Sequence, residues 1–180
     1  GIPGLWNAAR SNSDFMTTFS DRVFKHLFND GALTEENAKA RWHALNDYIR
    51  DAVVAESARW GDSLETVNHP TRTRDVDWQR MVDRIDDLMT GNNEYFLRAL
   101  RREGYYPDTD APVFNQEGGR VARGFDFTIA NTNDGGVIYY SLDGSDPRAS
   151  GGDISTSALR GSSGQAISLT KDTWVKARVL

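Results

Sequence analysis

The sequence predicts an α+β protein in two segregated parts. The first is an N-terminal antiparallel helical bundle and the second a C-terminal antiparallel β domain. Three observations predict this division. Apolar residues recur at three- and four-residue spacing from Phe15 to Leu100. The composition changes at Gly104, where a linker with two prolines begins. Short β-branched and aromatic runs then alternate with turns rich in Gly, Asn, Asp and Ser.

The 180 residues are 38% hydrophobic and 26% charged, a folded rather than a disordered composition. A net charge of −5 argues against non-specific nucleic-acid binding. No apolar run approaches the roughly 20 residues of a membrane span. There is no cysteine, which excludes disulfides, thiolate metal sites and a cysteine nucleophile. The chain opens Gly1-Ile2-Pro3, without a signal peptide, and ends inside the alternation Trp174 to Leu180. Both ends read as cut, so the expectation is a piece of a longer polypeptide that continues upstream and downstream.

Residues 1 to 12, with Gly, Pro and Asn among them, read as a lead-in that lays Trp6 on the helices. Ser13 or Asn12 caps the first helix, and Asp14 suits the positive end of its dipole. Phe15, Phe19, Val23 and Leu27 make its apolar stripe. Asn29-Asp30-Gly31 stops it, with Gly31 expected as the left-handed cap. Thr34 caps a long helix to about Arg59, with Trp42, Leu45, Ile49, Ala52 and Val53 on one face. Thr73 or Asp75 starts a third helix with Trp78, Met81, Val82, Ile85, Leu88 and Met89 as its apolar face. Gly91 breaks the pattern before a fourth helix to about Glu103, which buries Phe96, Ala99 and Leu100. Short connections between amphipathic helices predict antiparallel packing.

Residues 1–104 are thus the helical segment, 105–112 the linker and 113–180 the β domain. Strands are expected at 119–121, 125–130, 136–142, 166–169 and 173–179, with 150–164 an irregular loop. Val137 to Leu142 alternates and then stops at Asp143-Gly144, a turn closed by Asp146-Pro147. Strands of this length and spacing predict an immunoglobulin-like sandwich. Trp174 is expected inside it. The last strand is expected at an edge able to pair with another chain.

Two stretches carry a resemblance. Asp21-Arg22-Val23, Lys25-His26, Gly31-Ala32-Leu33-Thr34 and Ala55 to Asp62 resemble the C-terminal helical part of the spore-coat CotH kinase-like family. Pro112 to Gln116, Ile138 to Arg148 and Val175 to Arg178 resemble the chitobiase/β-hexosaminidase C-terminal-type domain, an immunoglobulin-like module. The resemblance implies a large bacterial exported protein, secreted or at the cell surface. It implies an atypical kinase whose nucleotide-binding residues lie upstream, because this chain holds no glycine-rich phosphate loop and no His-Arg-Asp or Asp-Phe-Gly run.

Candidate chemistry is sparse. His26, His43 and His69 lack a third convergent ligand, so no metal is expected. Asp83, Asp86, Asp87, Glu35 and Glu36 lie on a solvated helix face or in a first turn, where charge is ordinary. Asp143, Ser145 and Asp146 offer hard oxygen donors in one turn that could hold a calcium ion, though the turn lacks the length and glutamate of an EF-hand loop and such residues more often bond their own backbone. Arg148 is expected to pair with one of these aspartates. Trp6, Tyr105, Tyr106, Tyr139, Tyr140 and Trp174 are candidate sugar platforms. Tyr140, Asp143, Ser145, Asp146 and Arg148 form the candidate ligand site. No catalytic residue and no cofactor is expected. The expected role is a non-catalytic structural or accessory one, with a carbohydrate-binding module or the supporting lobe of an atypical kinase as alternatives. The expected partners are a polysaccharide or a cell-surface protein.

Overall fold

The computed structural model describes residues 2–63, 66, 67 and 70–180, and only the backbone of Ile2 and Pro3. His69 lies outside the described residues. The fold is α+β. Among the described residues it has five α-helices: α1 (Ile2–Ala9), α2 (Ser13–Leu27), α3 (Glu35–Trp60), α4 (Gln79–Met89) and α5 (Asn92–Arg102). A π-helical turn, Arg74–Trp78, leads into α4. Six strands follow among the described residues: β1 (Val113–Phe114), β2 (Phe125–Ala130), β3 (Ile138–Ser141), β4 (Leu159–Gly161), β5 (Ala166–Leu169) and β6 (Lys176–Val179). Among the described residues, no helix is long and apolar enough to cross a membrane.

The chain divides into two compact units. One joins the residues up to Phe24 with Glu103–Leu180, and the other is Lys25–Arg102.

In the unit that contains the strands, two antiparallel three-stranded sheets run in the orders β1-β2-β5 and β4-β3-β6. β2 and β5 pair from Phe125 opposite Leu169 to Thr128 opposite Ala166. β3 and β6 pair from Ile138 opposite Val179 to Ser141 opposite Lys176. Alternation sends Phe127 and Ile129 of one sheet and Ile138 of the other into a shared core, at 4%, 2% and 2% exposure. Phe114, Phe125, Tyr140, Ile167, Val175 and Val179 close around them. Phe114 meets Phe127 edge-on at 5.1 Å. The segment before α2 is itself the helix α1 rather than an irregular lead-in. Trp6 still lies on α2, against Phe15 and Phe19, with Tyr105 at 5.1 Å on its other side. Asn12, not Ser13, caps α2, its Oδ1 accepting from the amides of Asp14 and Phe15.

Expectations for the β domain change: 136–142 and 173–179 shorten to β3 and β6. Residues 119–121 form no strand. Residues 150–164 are not wholly irregular, because β4 lies within them and pairs with β3. β1 forms directly after the linker and pairs with β2. Trp174 is not in the core; it is 72% exposed. β6 is at an edge of its sheet, as expected.

In the other unit, Thr34 caps α3, its Oγ1 accepting from the Asn37 amide. Trp42 Nε1 donates to the Val82 carbonyl at 3.1 Å, joining α3 to α4. Val82 and Leu100 are buried. Leu45, Ile49, Met81, Leu88 and Phe96, expected as core, are exposed. The buried side of α3 instead runs through Asn46, whose amide donates to the Trp42 carbonyl. At the end of α2 the left-handed residue is Asn29, with φ 52°, and not Gly31. Gly31 is needed for close approach: a Cβ there would stand 2.6 Å from the His26 carbonyl.

Ile138→Ala empties a site that cannot rehydrate. The expected loss is about 3–4 kcal/mol, seen as a thermal midpoint lower by roughly 10–20 °C. Ile154→Ala, at a 46% exposed position, is expected to stay within about 0.5 kcal/mol of wild type.

Candidate functional site

The turn after β3 is held by its own side chains. Asp143 Oδ1 accepts from the amide and the hydroxyl of Ser145, at 2.9 and 2.6 Å. The Ser145 bonds hold the Asp143 carboxyl below its usual range. Ser141, 3% exposed, donates its hydroxyl to the Ser145 carbonyl at 2.5 Å. Pro147 is fully buried. Asp146 Oδ1 accepts from the Arg148 amide at 2.9 Å. This is the backbone-bonding use of Asp and Ser rather than an open oxygen cage.

Arg178 of β6 then binds two carboxylates at once. Its Nε and Nη2 donate to the two oxygens of Asp146, both at 2.7 Å. Its Nη1 and Nη2 donate to the two oxygens of Asp21 on α2, at 2.9 and 2.7 Å. A planar guanidinium suits this doubled fork, and an ammonium would not. The Arg178 bond lowers the Asp146 carboxyl, against a smaller opposing effect of burial.

Arg148 was expected to pair within the turn. Its side chain reaches instead to α2, where Nη1 donates to Asp14 Oδ1 at 2.7 Å. Ser150 Oγ donates to the other oxygen at 2.6 Å, and the Gly151 amide adds bonds at 3.1 and 3.2 Å. These donors, Ser150 first, bring the Asp14 carboxyl from 3.8 down to about 2. Tyr140 packs on the core and over Gly161 rather than beside the turn. Of the five candidate ligand residues, the structure brings together Asp143, Ser145, Asp146 and the backbone of Arg148, all in internal bonds. Asp14, Asp21 and Arg178 complete this cluster. Sequence reasoning missed Arg178 because one arginine in an alternating strand reads as solvated.

An open groove of about 870 Å³ lies at one end of the same unit. Phe114, Phe125, Phe127 and Leu169 line it, with the segments Gln116–Arg123 and Thr170–Val175. Charge in it comes from Glu117, Arg120, Arg123, Lys171 and Asp172. Partial burial pushes the Glu117 carboxyl up, against a weaker hydrogen bond with the Phe114 backbone. Residues 119–121, expected as a strand, are part of this lining.

In the helical unit, Lys39 Nζ contacts Glu35 and Asp86, both at 3.2 Å, and donates to Thr90 Oγ1 at 2.7 Å. His43 Nε2 meets Asp86 Oδ1 at 2.8 Å. The Gly91 amide donates to Glu35 Oε2 at 2.8 Å, the largest influence lowering the Glu35 carboxyl. Burial raises Asp86, but the bonds from Lys39 and His43 outweigh it and the net direction is down. Asp86 and Glu35 therefore tie α3 to the end of α4. Among the described residues no group of three His, Cys, Asp or Glu could hold a metal ion.

Arg178→Leu leaves Asp146 and Asp21 without their shared cation. The expected loss is about 2–3 kcal/mol, with faster amide exchange in β3 and β6 measured by deuterium uptake. Acid acts in a set direction. Asp14 titrates at about 2 against an ordinary 3.8, so its stabilisation is complete above pH 3.8 and is lost as pH falls toward 2. The thermal midpoint is expected to drop through that window, and more gently in Asp14→Asn.

Comparison with known proteins returns no match: no family model, curated protein or solved structure matches the chain.

Proposed function

We propose that the chain is a non-catalytic structural or accessory part of a larger exported protein of the CotH kinase-like kind, placed outside the cell. In this reading the two sheets are the halves of an immunoglobulin-like sandwich, and α3 to α5 belong to an antiparallel bundle. The sharing of one core by Phe127, Ile129 and Ile138 supports the sandwich.

One observation carries the functional reading. The ionisable groups of the Asp143–Arg148 turn are committed to internal bonds. Hydrogen bonds hold the Asp14, Asp143 and Asp146 carboxyls low. A general acid at neutral pH needs the opposite shift, and a nucleophile or base needs a free lone pair facing a substrate. What these residues do is fasten α2 to the strands. A part built this way spaces or presents its neighbours.

Assays of the chain with ATP and Mg²⁺ plus a protein acceptor, and with nitrophenyl glycosides, are expected to match the protein-free blank. Limited proteolysis is expected to leave the residues up to Phe24 associated with Glu103–Leu180. Turnover that disappears in Asp86→Asn or Asp146→Asn would overturn the reading.

A further inference from the structure

Trp174 is a large aromatic side chain left 72% exposed, yet it is not loose. Its backbone bridges Asp143 in the turn after β3. A Cβ added at Gly144 would stand 3.0, 3.1 and 3.2 Å from the indole atoms Cδ2, Cγ and Cε3. Near-equal distances to three consecutive ring atoms place that contact on the ring's face rather than its edge. Gly144 also has φ 81°, a conformation that side chains rarely adopt. The turn therefore backs one face of the indole with bare backbone and leaves the ring as a fixed platform at the groove.

Charge points to the occupant. The chain as a whole is acidic, at −5. The groove inverts that sign, with Arg120, Arg123 and Lys171 against Glu117 and Asp172. Arg148 and Arg178 elsewhere in this unit are held by carboxylates. No ion pair holds Arg120, Arg123 or Lys171 among the described residues. Cations without an ion pair, beside an aromatic face seated on backbone, match a ligand that carries both an apolar ring face and an anion.

We propose that the groove binds an anionic glycan, with the C–H face of one pyranose stacked on Trp174 and its carboxylate or sulfate groups received by Arg120, Arg123 and Lys171. Stacking supplies affinity for the sugar ring, and the cations supply preference for the acidic polymer. The platform is Trp174 and not Tyr140, which packs on the core.

Affinity electrophoresis of the 180-residue chain tests this with polygalacturonate, dextran sulfate, neutral hydroxyethylcellulose and polyphosphate. Retardation is expected with polygalacturonate, dextran sulfate or both, and which of them retards identifies the anion. Trp174→Ala is expected to weaken it roughly tenfold, and Trp174→Phe to weaken it less. Arg120→Gln with Arg123→Gln and Lys171→Gln is expected to remove most of its salt dependence. These three positions are exposed, so the triple variant decides the matter if circular dichroism shows that Trp174→Ala does not fold. No retardation by either acidic glycan would overturn the proposal. So would equal retardation by polyphosphate, which has charge without a sugar ring, or by hydroxyethylcellulose. Binding unchanged in a folded Trp174→Ala, or in the triple variant, would also overturn it.

Discussion

One guanidinium organises the strand-containing unit. Arg178 reaches from β6 to Asp146 in the turn after β3 and to Asp21 on α2. Its side chain is only 21% exposed. A charge this far from water is costly unless its donors are matched, and here four contacts of 2.7 to 2.9 Å match them. Asp146 can accept the fork only because the turn presents it. The turn presents it because Asp143 is tied to Ser145, Pro147 is buried, and the Arg148 amide bonds Asp146. A local Asx motif thus becomes a long-range link between residues 157 positions apart.

The second link repeats this logic with different chemistry. Asp14, in the first turn of α2, accepts from Arg148, Ser150 and Gly151 just beyond the same turn. Asp14 and Asp21 lie two helical turns apart, on one side of α2. The helix is therefore held at two points along its length, which restrains rotation about its axis as well as position. Trp6 and Tyr105 close the other side through rings at 5.1 Å, with Arg10 donating to the Tyr105 hydroxyl at 2.9 Å. Exposed ion pairs alone contribute little. These matter because bonded donors, shared carboxylates and aromatic packing coincide on one short helix.

The sequence made some of this legible and hid the rest for physical reasons. β2 and β5 fall where expected, because strict alternation over four to six residues with one buried face leaves no other register. β1 and β4 were hidden. Val113–Phe114 is too short to show a period, and Leu159-Arg160-Gly161 sits among residues that signal a loop. α1 was hidden by a Pro and a Gly that a helix tolerates near its start. α3 misled more deeply: its alanines favour helix on every side, so its buried face had to be guessed from Leu45 and Ile49, both of which are exposed. Among candidate residues, the turn was visible from Asp-Gly and Asp-Pro. Its partners were not, because nothing local marks Asp14, Asp21 or Arg178 as meeting it.

Trp174 shows how periodicity must be anchored before it is read. Val175, Ala177 and Val179 pack on the core, so Trp174, one residue out of phase with them, lies on the opposite face, and its bridge to Asp143 continues the register in which β6 pairs with β3. What the indole rests against is decided by Gly144, on another segment. Only a residue without Cβ lets the indole lie against that backbone, and only a left-handed φ turns the backbone to meet it. The turn thus does two jobs. Through Asp146 it holds β6 and α2 together, and through Gly144 it holds an aromatic ring out in solvent. An exposed indole forgoes roughly 2 kcal/mol or more of burial, but single exposed apolar side chains are ordinary, Tyr48 and Leu5 among them; what sets Trp174 apart is the backbone seat beneath it and the groove it lines. An indole seated on bare backbone, beside three cations that no ion pair holds among the described residues, is the arrangement that the proposed glycan site rests on.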